Sequence, residues 1–251
     1  MGDLDGKTAL VTGGASGIGL ATVELFAKRG VKVALNHLPD DPRGPAAVQR
    51  LCGEGLAVIG APGDVAKPGA AEAMVGDAIQ ALGRLDYLAN NAGTSATVEP
   101  IPPRDLDRMT EEFWATILAT NLLGPFRCTH AAADALIAAG GAVCNTASVA
   151  GRNMPGSSMA YGASKAALIS LTQNLARALA PRARVNAVAP GFVDTDWTRK
   201  WPDARKQASI ERTLLKRACT PQDIAAAIVF LCADTSMVTA QTLVVDGGYS
   251  L

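Results

Sequence analysis

Short, uninterrupted apolar runs alternate along this chain with longer segments of helical composition. The runs fall at 7–13 (KTALVTG), 31–36 (VKVALN), 56–61 (LAVIGA), 85–91 (LDYLANN), 141–148 (GAVCNTAS), 183–190 (ARVNAVAP) and 242–248 (TLVVDGG). The helical segments lie at 17–29, about 45–53, 68–82, 110–138, 159–180 and 221–233. Runs that are apolar throughout, rather than at alternate positions, predict strands buried on both faces of a parallel sheet. Strict alternation of strand and helix then predicts a doubly wound α/β fold, a seven-stranded parallel sheet with helices on both faces and right-handed crossovers. No linker, repeat or low-complexity segment divides the chain, so residues 1–251 read as one domain.

Composition narrows the function classes. The chain has 251 residues, 49% hydrophobic and 18% charged, a length that α/β folds reach as a single unit. Lys and Arg number 23, as do Asp and Glu, so no global basic field exists to draw in nucleic acid or an anionic membrane. No run approaches the 18 uninterrupted apolar residues of a membrane span. The start, MGDLDGKTALVTGG, is acidic and then strand-like, unlike a secretory signal, and its sixth residue is not the Ser or Thr of a myristoylation site. The five cysteines (Cys52, Cys128, Cys144, Cys219, Cys232) form no C-x-x-C pair and read as free thiols of a reducing compartment. With only two histidines, they suggest no metal-ligand cluster. The expected setting is the cytoplasm.

In such sheets ligands bind beyond the carboxyl ends of the strands. The first strand runs into TGGASGIGL, Thr12 to Leu20, and then a helix. Gly13, Gly17 and Gly19 have the spacing G-x-x-x-G-x-G. Glycines permit positive φ and close backbone approach to a pyrophosphate, and the helix N-terminus offers free N–H groups and the positive end of its dipole. A plain glycine-rich turn would look similar in isolation, but the flanking strand and helix favour nucleotide binding.

Tyr161 and Lys165 are four apart in a helical segment and share one face. Ser148 precedes Tyr161 by 13 residues, at the end of the fifth predicted strand. A phenol at its ordinary pKa of about 10 is a poor acid–base group, and a neighbouring ammonium lowers that value. Reaching about 7 takes roughly 4 kcal/mol of preferential stabilisation of the anion, at about 1.4 kcal/mol per unit. A serine hydroxyl can hydrogen-bond a carbonyl or alcohol oxygen. The Tyr–Lys pair alone would be an ordinary helix-surface pair.

With TGGASGIG (12–19), NNAG (90–93), NLLG (121–124), Ser148, YGASK (161–165), PG (190–191) and VDGG (245–248) in this order, the sequence closely resembles the classical short-chain dehydrogenase/reductase family over essentially its whole length. The resemblance implies a Rossmann-type fold and an NAD(P)-dependent oxidoreductase that interconverts a ketone and a secondary alcohol. Tyr161 would exchange a proton with the substrate oxygen, and Ser148 would orient the carbonyl. Lys165 would lower the Tyr161 pKa and hold the nicotinamide ribose, and Asn121 would hold a water leading to Lys165. Gly13, Ser16, Gly17, Ile18, Gly19, Asn90, Asn91, Ala92 and Gly93 would line the cofactor, with Asp64 and Val65 at the adenine. Pro190, Gly191, Val193 and Thr195 would lie at the carboxamide, and 192–217 would form a substrate lid. A dimer or tetramer is implied, with the last helix and strand at an interface. Ala240 stands where relatives often carry glycine, which puts that turn in question. A dinucleotide-binding regulator without turnover is the second reading; the intact Asn–Ser–Tyr–Lys set argues against it.

Two features bear on specificity. His37 lies 18 residues beyond Gly19, at the end of the second strand, where an acidic residue would hold the adenosine ribose of NAD. Asn36-His37 supplies no carboxylate there, which favours NADP(H) and leaves NAD(H) open. Ser16 and Leu38 are not basic, and Arg43 is the nearby guanidinium able to reach a phosphate. The segment 195–217 carries seven basic against three acidic side chains, a local excess of four. It reads equally as an attractor of anions or as a solvated helical face. His130 reads as a structural or surface histidine, Cys144 as a small core residue and Asp134 as solvated.

Overall fold

The computed structural model describes residues 4–251; the acidic start at 1–3 lies outside the described residues. Seven strands form one parallel sheet: β1 (Thr8–Val11), β2 (Lys32–His37), β3 (Val58–Pro62), β4 (Tyr87–Asn90), β5 (Ala142–Thr146), β6 (Arg184–Pro190) and β7 (Thr242–Val245). Their order is β3-β2-β1-β4-β5-β6-β7. The chain builds outward from β1 to β3, then crosses back so that β4 pairs with the other side of β1. This reversal separates the loops leaving β1 and β4 and opens a crevice at their carboxyl ends.

Both faces of the sheet are buried over its central strands, as the apolar runs predict, while the edge strand β7 has no buried residue. Ala9, Val11, Val33 and Leu35 point into one layer with Val23, Phe26, Leu51, Ile224 and Ile228. Those partners lie on α1 (Gly17–Lys28), α2 (Arg43–Gly53) and α9 (Pro221–Ala233). Leu10, Ala34, Leu88 and Val143 point the other way, against Val75, Cys128, Leu136 and Leu175. These lie on α3 (Ala70–Leu82), α5 (Gly124–Ala139) and α6 (Met159–Leu179). Alternation along each strand feeds two cores, and each fully buried Leu or Phe contributes about 2 kcal/mol. No helix among the described residues is long and apolar enough to cross a membrane. Cys128, Cys144, Cys219 and Cys232 are buried thiols and Cys52 is an exposed one. His130 lies exposed on α5, stacked on Phe126 with centroids 6.0 Å apart.

Two expectations need adjustment. The helix predicted over 110–138 is interrupted: α4 (Glu111–Leu118) passes through a π turn (Ala119–Leu123) before α5 begins. Pro125 has no N–H for the carbonyl of Asn121, four residues back, so regular α-helical pairing fails there. Ala240, in contrast, does not disturb its turn. It adopts φ 60° without glycine, its N–H donates to the Val185 carbonyl at 2.8 Å, and Asn186 accepts the next N–H, from Gln241, at 3.1 Å. The remaining helices, α7 (Asp196–Arg199) and α8 (Asp203–Arg212), belong to the segment between β6 and α9.

Candidate active site

The glycine turn is built by close approach. Gly13 and Gly17 have φ of 62° and 52°, accessible to glycine at little cost. A Cβ on Gly19 would stand 2.1 Å from the Gly13 carbonyl oxygen and 2.6 Å from Asn91 Nδ2. The first turn of α1 therefore sits directly beneath the loop, where its leading N–H groups have no intrahelical acceptor. Ser16, extended at φ −158°, precedes them, and Ile18 packs half-buried against the adjoining core. Thr12, which the sequence did not single out, ties this turn to the β4 exit. Its Oγ1 accepts the N–H groups of Asn91 at 2.9 Å and Ala92 at 3.0 Å. Asn91 Nδ2 donates back to the Thr12 carbonyl at 3.1 Å.

Asn36 and His37 take up other tasks than facing a ribose. Asn36 Oδ1 accepts the Gly13 N–H at 3.1 Å, and its amide donates to the Ala61 and Gly63 carbonyls at 3.0 Å each. His37 is buried, with Nδ1 2.8 Å from the Leu38 carbonyl, so that nitrogen carries the proton. A Cβ on Gly44 would fall 2.1 Å from His37 Cγ, which wedges the imidazole under the start of α2. Arg43 does approach the glycine turn. With Ser16, Gly17, Thr195 and Arg199 it lines a cavity of about 340 Å³. Its guanidinium is paired with Asp41, Nη2 to Oδ2 at 2.8 Å.

Other expected cofactor residues divide between lining and bracing. Asp64 is half-buried and caps its own loop, Oδ1 accepting the Ala66 N–H at 2.9 Å. Val65 is buried, and a Cβ on Gly124 would lie 3.1 Å from its Cγ2, so its side chain packs under α5. Asn90 is also buried, donating to Asn145 Oδ1 at 2.9 Å and Thr129 Oγ1 at 3.0 Å, and does not line the crevice. Asn91, Ala92 and Gly93 do border it. A Cβ on Gly93 would stand 3.6 Å from Lys165 Nζ.

The structure brings Ser148, Tyr161, Lys165 and Asn121 together. Ser148 leaves β5 and caps a short 3-10 turn (Val149–Arg152), its Oγ accepting the Ala150 N–H at 3.1 Å. Ser158 caps α6, its Oγ accepting the Tyr161 N–H at 3.1 Å, so the tyrosine sits in the first turn. A side-chain oxygen three residues before the tyrosine is the signal that could have marked it. Lys165, one turn on, is buried with Nζ 5.7 Å from the Tyr161 ring centroid and donates to the Thr146 carbonyl at 2.7 Å. Asn121, in the π turn, is fully buried; its amide brackets Thr94, accepting the N–H at 2.8 Å and donating to the carbonyl at 2.9 Å. That commits the side chain, while Pro125 has no N–H to donate to the Asn121 main-chain carbonyl. Arg127 Nη1 braces the same turn, donating to the Ala119 carbonyl at 3.3 Å and the Ala66 carbonyl at 3.1 Å.

The electrostatics depart from expectation in one respect. In the free protein burial pushes the Tyr161 phenol up, and the Ser148 hydroxyl offsets only part of this. The lowering by Lys165 that the spacing suggests is absent in the free protein, where desolvation dominates. Burial also brings the Lys165 ammonium down from 10.5 to about 8. Between these values the unfolded chain holds a proton that the folded chain lacks, so stability rises with pH across that window; below about pH 8 the full burial cost is carried, about 3 kcal/mol. Without cofactor, Lys165→Met is expected to be more stable than wild type at pH 7 by about 1–2 kcal/mol, the lost hydrogen bond taking back about 1 kcal/mol. The difference should shrink toward pH 10, and denaturant titrations at both pH values check it. Equal or lower stability of the variant at pH 7 would contradict an uncompensated buried charge.

Past β6, Pro190 is buried, and Gly191 approaches Asp246 so closely that a Cβ would lie 2.6 Å from that residue's Cβ. Val193 is a core residue and forms an isolated parallel bridge to Cys219, with Asp194 N–H donating to the Cys219 carbonyl at 2.9 Å and Cys219 N–H to the Phe192 carbonyl at 3.0 Å. This neck closes the base of the segment between β6 and α9. Thr195 caps α7, and a Cβ on Gly17 would touch its Cγ2 at 3.4 Å. Trp197 then stands edge-on to Tyr161 at 6.1 Å between centroids. α8 buries no residue, which agrees with the solvated-face reading for most of its length.

A family model described as enoyl-(acyl carrier protein) reductase matches residues 13–250. The 3-oxoacyl-[acyl-carrier-protein] reductase FabG of Chlamydia pneumoniae is 37% identical over 250 residues, covering 98% of this chain and 97% of that protein. The enzyme of the same name from Thermotoga maritima is 37% identical, over 98% of each chain. Among solved structures, a short chain dehydrogenase from Burkholderia cenocepacia in complex with NADP has a TM-score of 0.89 at 34% identity, covering 99% of this chain and all of that one. A dehydrogenase/reductase from Sinorhizobium meliloti has the same score and identity, covering 99% and 97%.

Proposed function

The chain belongs to the classical short-chain dehydrogenase/reductase family of oxidoreductases, and on that premise we propose that it interconverts a ketone and a secondary alcohol with NADP(H), the ketone being the 3-oxo group of an acyl thioester. The observation that carries this reading is the meeting of Ser148, Tyr161 and buried Lys165 beneath Trp197, at the carboxyl end of β5. The thioester class follows the activity for which the C. pneumoniae and T. maritima relatives are named.

The residues fit a nicotinamide dinucleotide. The glycine turn has the open backbone and unsatisfied helix N–H groups that a pyrophosphate needs. Gly93 borders the Lys165 ammonium, a Cβ there standing 3.6 Å from Nζ. Asn36-His37 presents no carboxylate to a 2′-phosphate, and Arg43 borders the cavity beside Ser16. When bound, the nicotinamide ring supplies a hydride to the carbonyl carbon or accepts one from the alcohol carbon. The Ser148 hydroxyl donates to the substrate oxygen and polarises the carbonyl. The Tyr161 phenol delivers its proton to that oxygen and takes it back in the reverse direction. Lys165 stabilises the resulting phenolate, and the Asn121 carbonyl offers a water a place on the path to solvent. Trp197 stands edge-on to the Tyr161 ring and walls one side of it.

Steady-state kinetics on an acetoacetyl thioester with each cofactor tests the reading. Reduction to the 3-hydroxy product is expected, with kcat/KM at least about tenfold higher for NADPH, worth about 1.4 kcal/mol. A strong preference for NADH would remove the cofactor assignment. Tight cofactor binding without reduction of any ketone would instead favour a non-catalytic dinucleotide-binding regulator.

A further inference from the structure

The lid's cations are not alike. Arg199 pairs with Asp196 at 2.7 Å, Lys206 with Asp203 at 3.3 Å and Arg217 with Asp223 at 2.6 Å. Arg205 and Arg212 lie against aromatic faces instead. The Arg205 guanidinium is 3.5 Å from the Trp201 ring centroid, and Trp201 stacks on Phe192 at 5.5 Å, one residue beyond Gly191. Arg212 is 4.9 Å from the Tyr249 ring centroid, and its Nη2 lies 4.0 Å from Met154 Sδ. Met154 follows the turn capped by Ser148, and two residues on, a Cβ at Gly156 would be 3.1 Å from Tyr161 Cδ1. Both guanidiniums are carried by α8, seven residues apart, Arg212 beside the segment that packs on the Tyr161 ring and Arg205 beside the exit from β6.

The nearby carboxylates are engaged elsewhere. Glu211 accepts from Gln207 at 3.2 Å, and Asp246 accepts from Gly248 N–H at 2.8 Å and from Ser250 N–H at 2.9 Å. A guanidinium stacked on a ring keeps its in-plane N–H edges free, the geometry that receives a phosphate in two parallel bonds. Stacking also orders the side chain before a ligand arrives, which reduces the entropy lost on binding.

We propose that Arg205 and Arg212 form a phosphate-reading rim, which makes them specificity-determining residues for thioester substrates whose arm carries a phosphate remote from the ketone. The phosphate could belong to a free coenzyme A thioester or to a pantetheine phosphate arm, and the rim reads the group they share. This rests on the ketone-reduction reading above.

The test compares three substrates with the same 3-oxobutyryl group: the coenzyme A thioester, the 4′-phosphopantetheine thioester and the phosphate-free N-acetylcysteamine thioester. Arg212→Gln is expected to raise KM about tenfold for the phosphate-bearing thioesters, with kcat within about twofold and the N-acetylcysteamine thioester unaffected. Arg205→Gln should act in the same direction, and Arg212→Lys should recover part of the loss. An effect on the coenzyme A thioester alone would place the phosphate on the nucleotide; equal effects on both would place it on the pantetheine arm. Unchanged KM values, or equal losses on all three substrates, would overturn the rim. Failure of the wild type to reduce any of the three would overturn the underlying reading instead.

Discussion

Tyr161→Phe is expected to lower kcat/KM for ketone reduction by about three orders of magnitude, within the range typical for loss of a positioned general acid. The prediction is sharp because the change removes one oxygen and little else. The ring keeps its edge contact with Trp197 and its place beside Gly156, and the backbone N–H remains capped by Ser158. Lys165 keeps its bond to the Thr146 carbonyl. The fold and the cofactor dissociation constant should therefore hold to within about twofold, a shift of about 0.4 kcal/mol. Residual activity should also lose the pH dependence that the phenol imposes. Because burial raises the phenol in the free protein, the wild-type kcat/KM profile for alcohol oxidation should climb toward alkaline pH. A variant that turns over at the wild-type rate on the same ketone would remove Tyr161 from the mechanism.

Gly19→Ala should cost the protein its cofactor before its fold. The added methyl meets the Gly13 carbonyl oxygen at 2.1 Å and Asn91 Nδ2 at 2.6 Å, and the former is backbone that cannot swing aside. α1 must retreat from the loop, and overpacking of this kind costs about 1–3 kcal/mol. The retreat also withdraws the helix N–H groups from the pyrophosphate position, so cofactor affinity should fall at least about tenfold, or 1.4 kcal/mol. Fluorescence titration with NADPH and thermal unfolding of the free variant measure the two effects separately. Wild-type affinity would show that the turn does not cradle the dinucleotide.

Much of this arrangement was legible in the sequence because its signals are local. Continuous apolar runs mark strands buried on both faces, and each of the seven strands overlaps one of the seven runs, with β2 and β3 ending one residue beyond theirs. Ser148, Tyr161 and Lys165 announce themselves by residue type and spacing. What was not legible depends on contacts between distant segments. Pro125 is visible in the sequence, but its effect appears only when the helix register shifts and Asn121 finds Thr94. Thr12 has no motif of its own; it matters because β4 pairs with β1 and brings Asn91 beside it. His37 sits at the expected place along the chain, yet small residues at 44 and 60 let its ring turn inward. The direction of the Tyr161 shift could not be read from the i,i+4 pair, because desolvation is a property of the assembled site.

The two-bond neck at Val193 and Cys219 has an evolutionary consequence. The segment between Val193 and Cys219 leaves and re-enters the body at adjacent points, so its closure is already fixed by the sheet and by α9. Lengthening a loop whose ends are held costs little, about 0.6 kcal/mol for each doubling. Everything between the two ends behaves as an exchangeable cassette: residues can be inserted, deleted or recharged there without moving the strands that carry Ser148 or the helix that carries Tyr161 and Lys165. The Ser148–Tyr161–Lys165 set and this segment are thus carried by separate stretches of the chain, and the segment can change in length while the set stays in place.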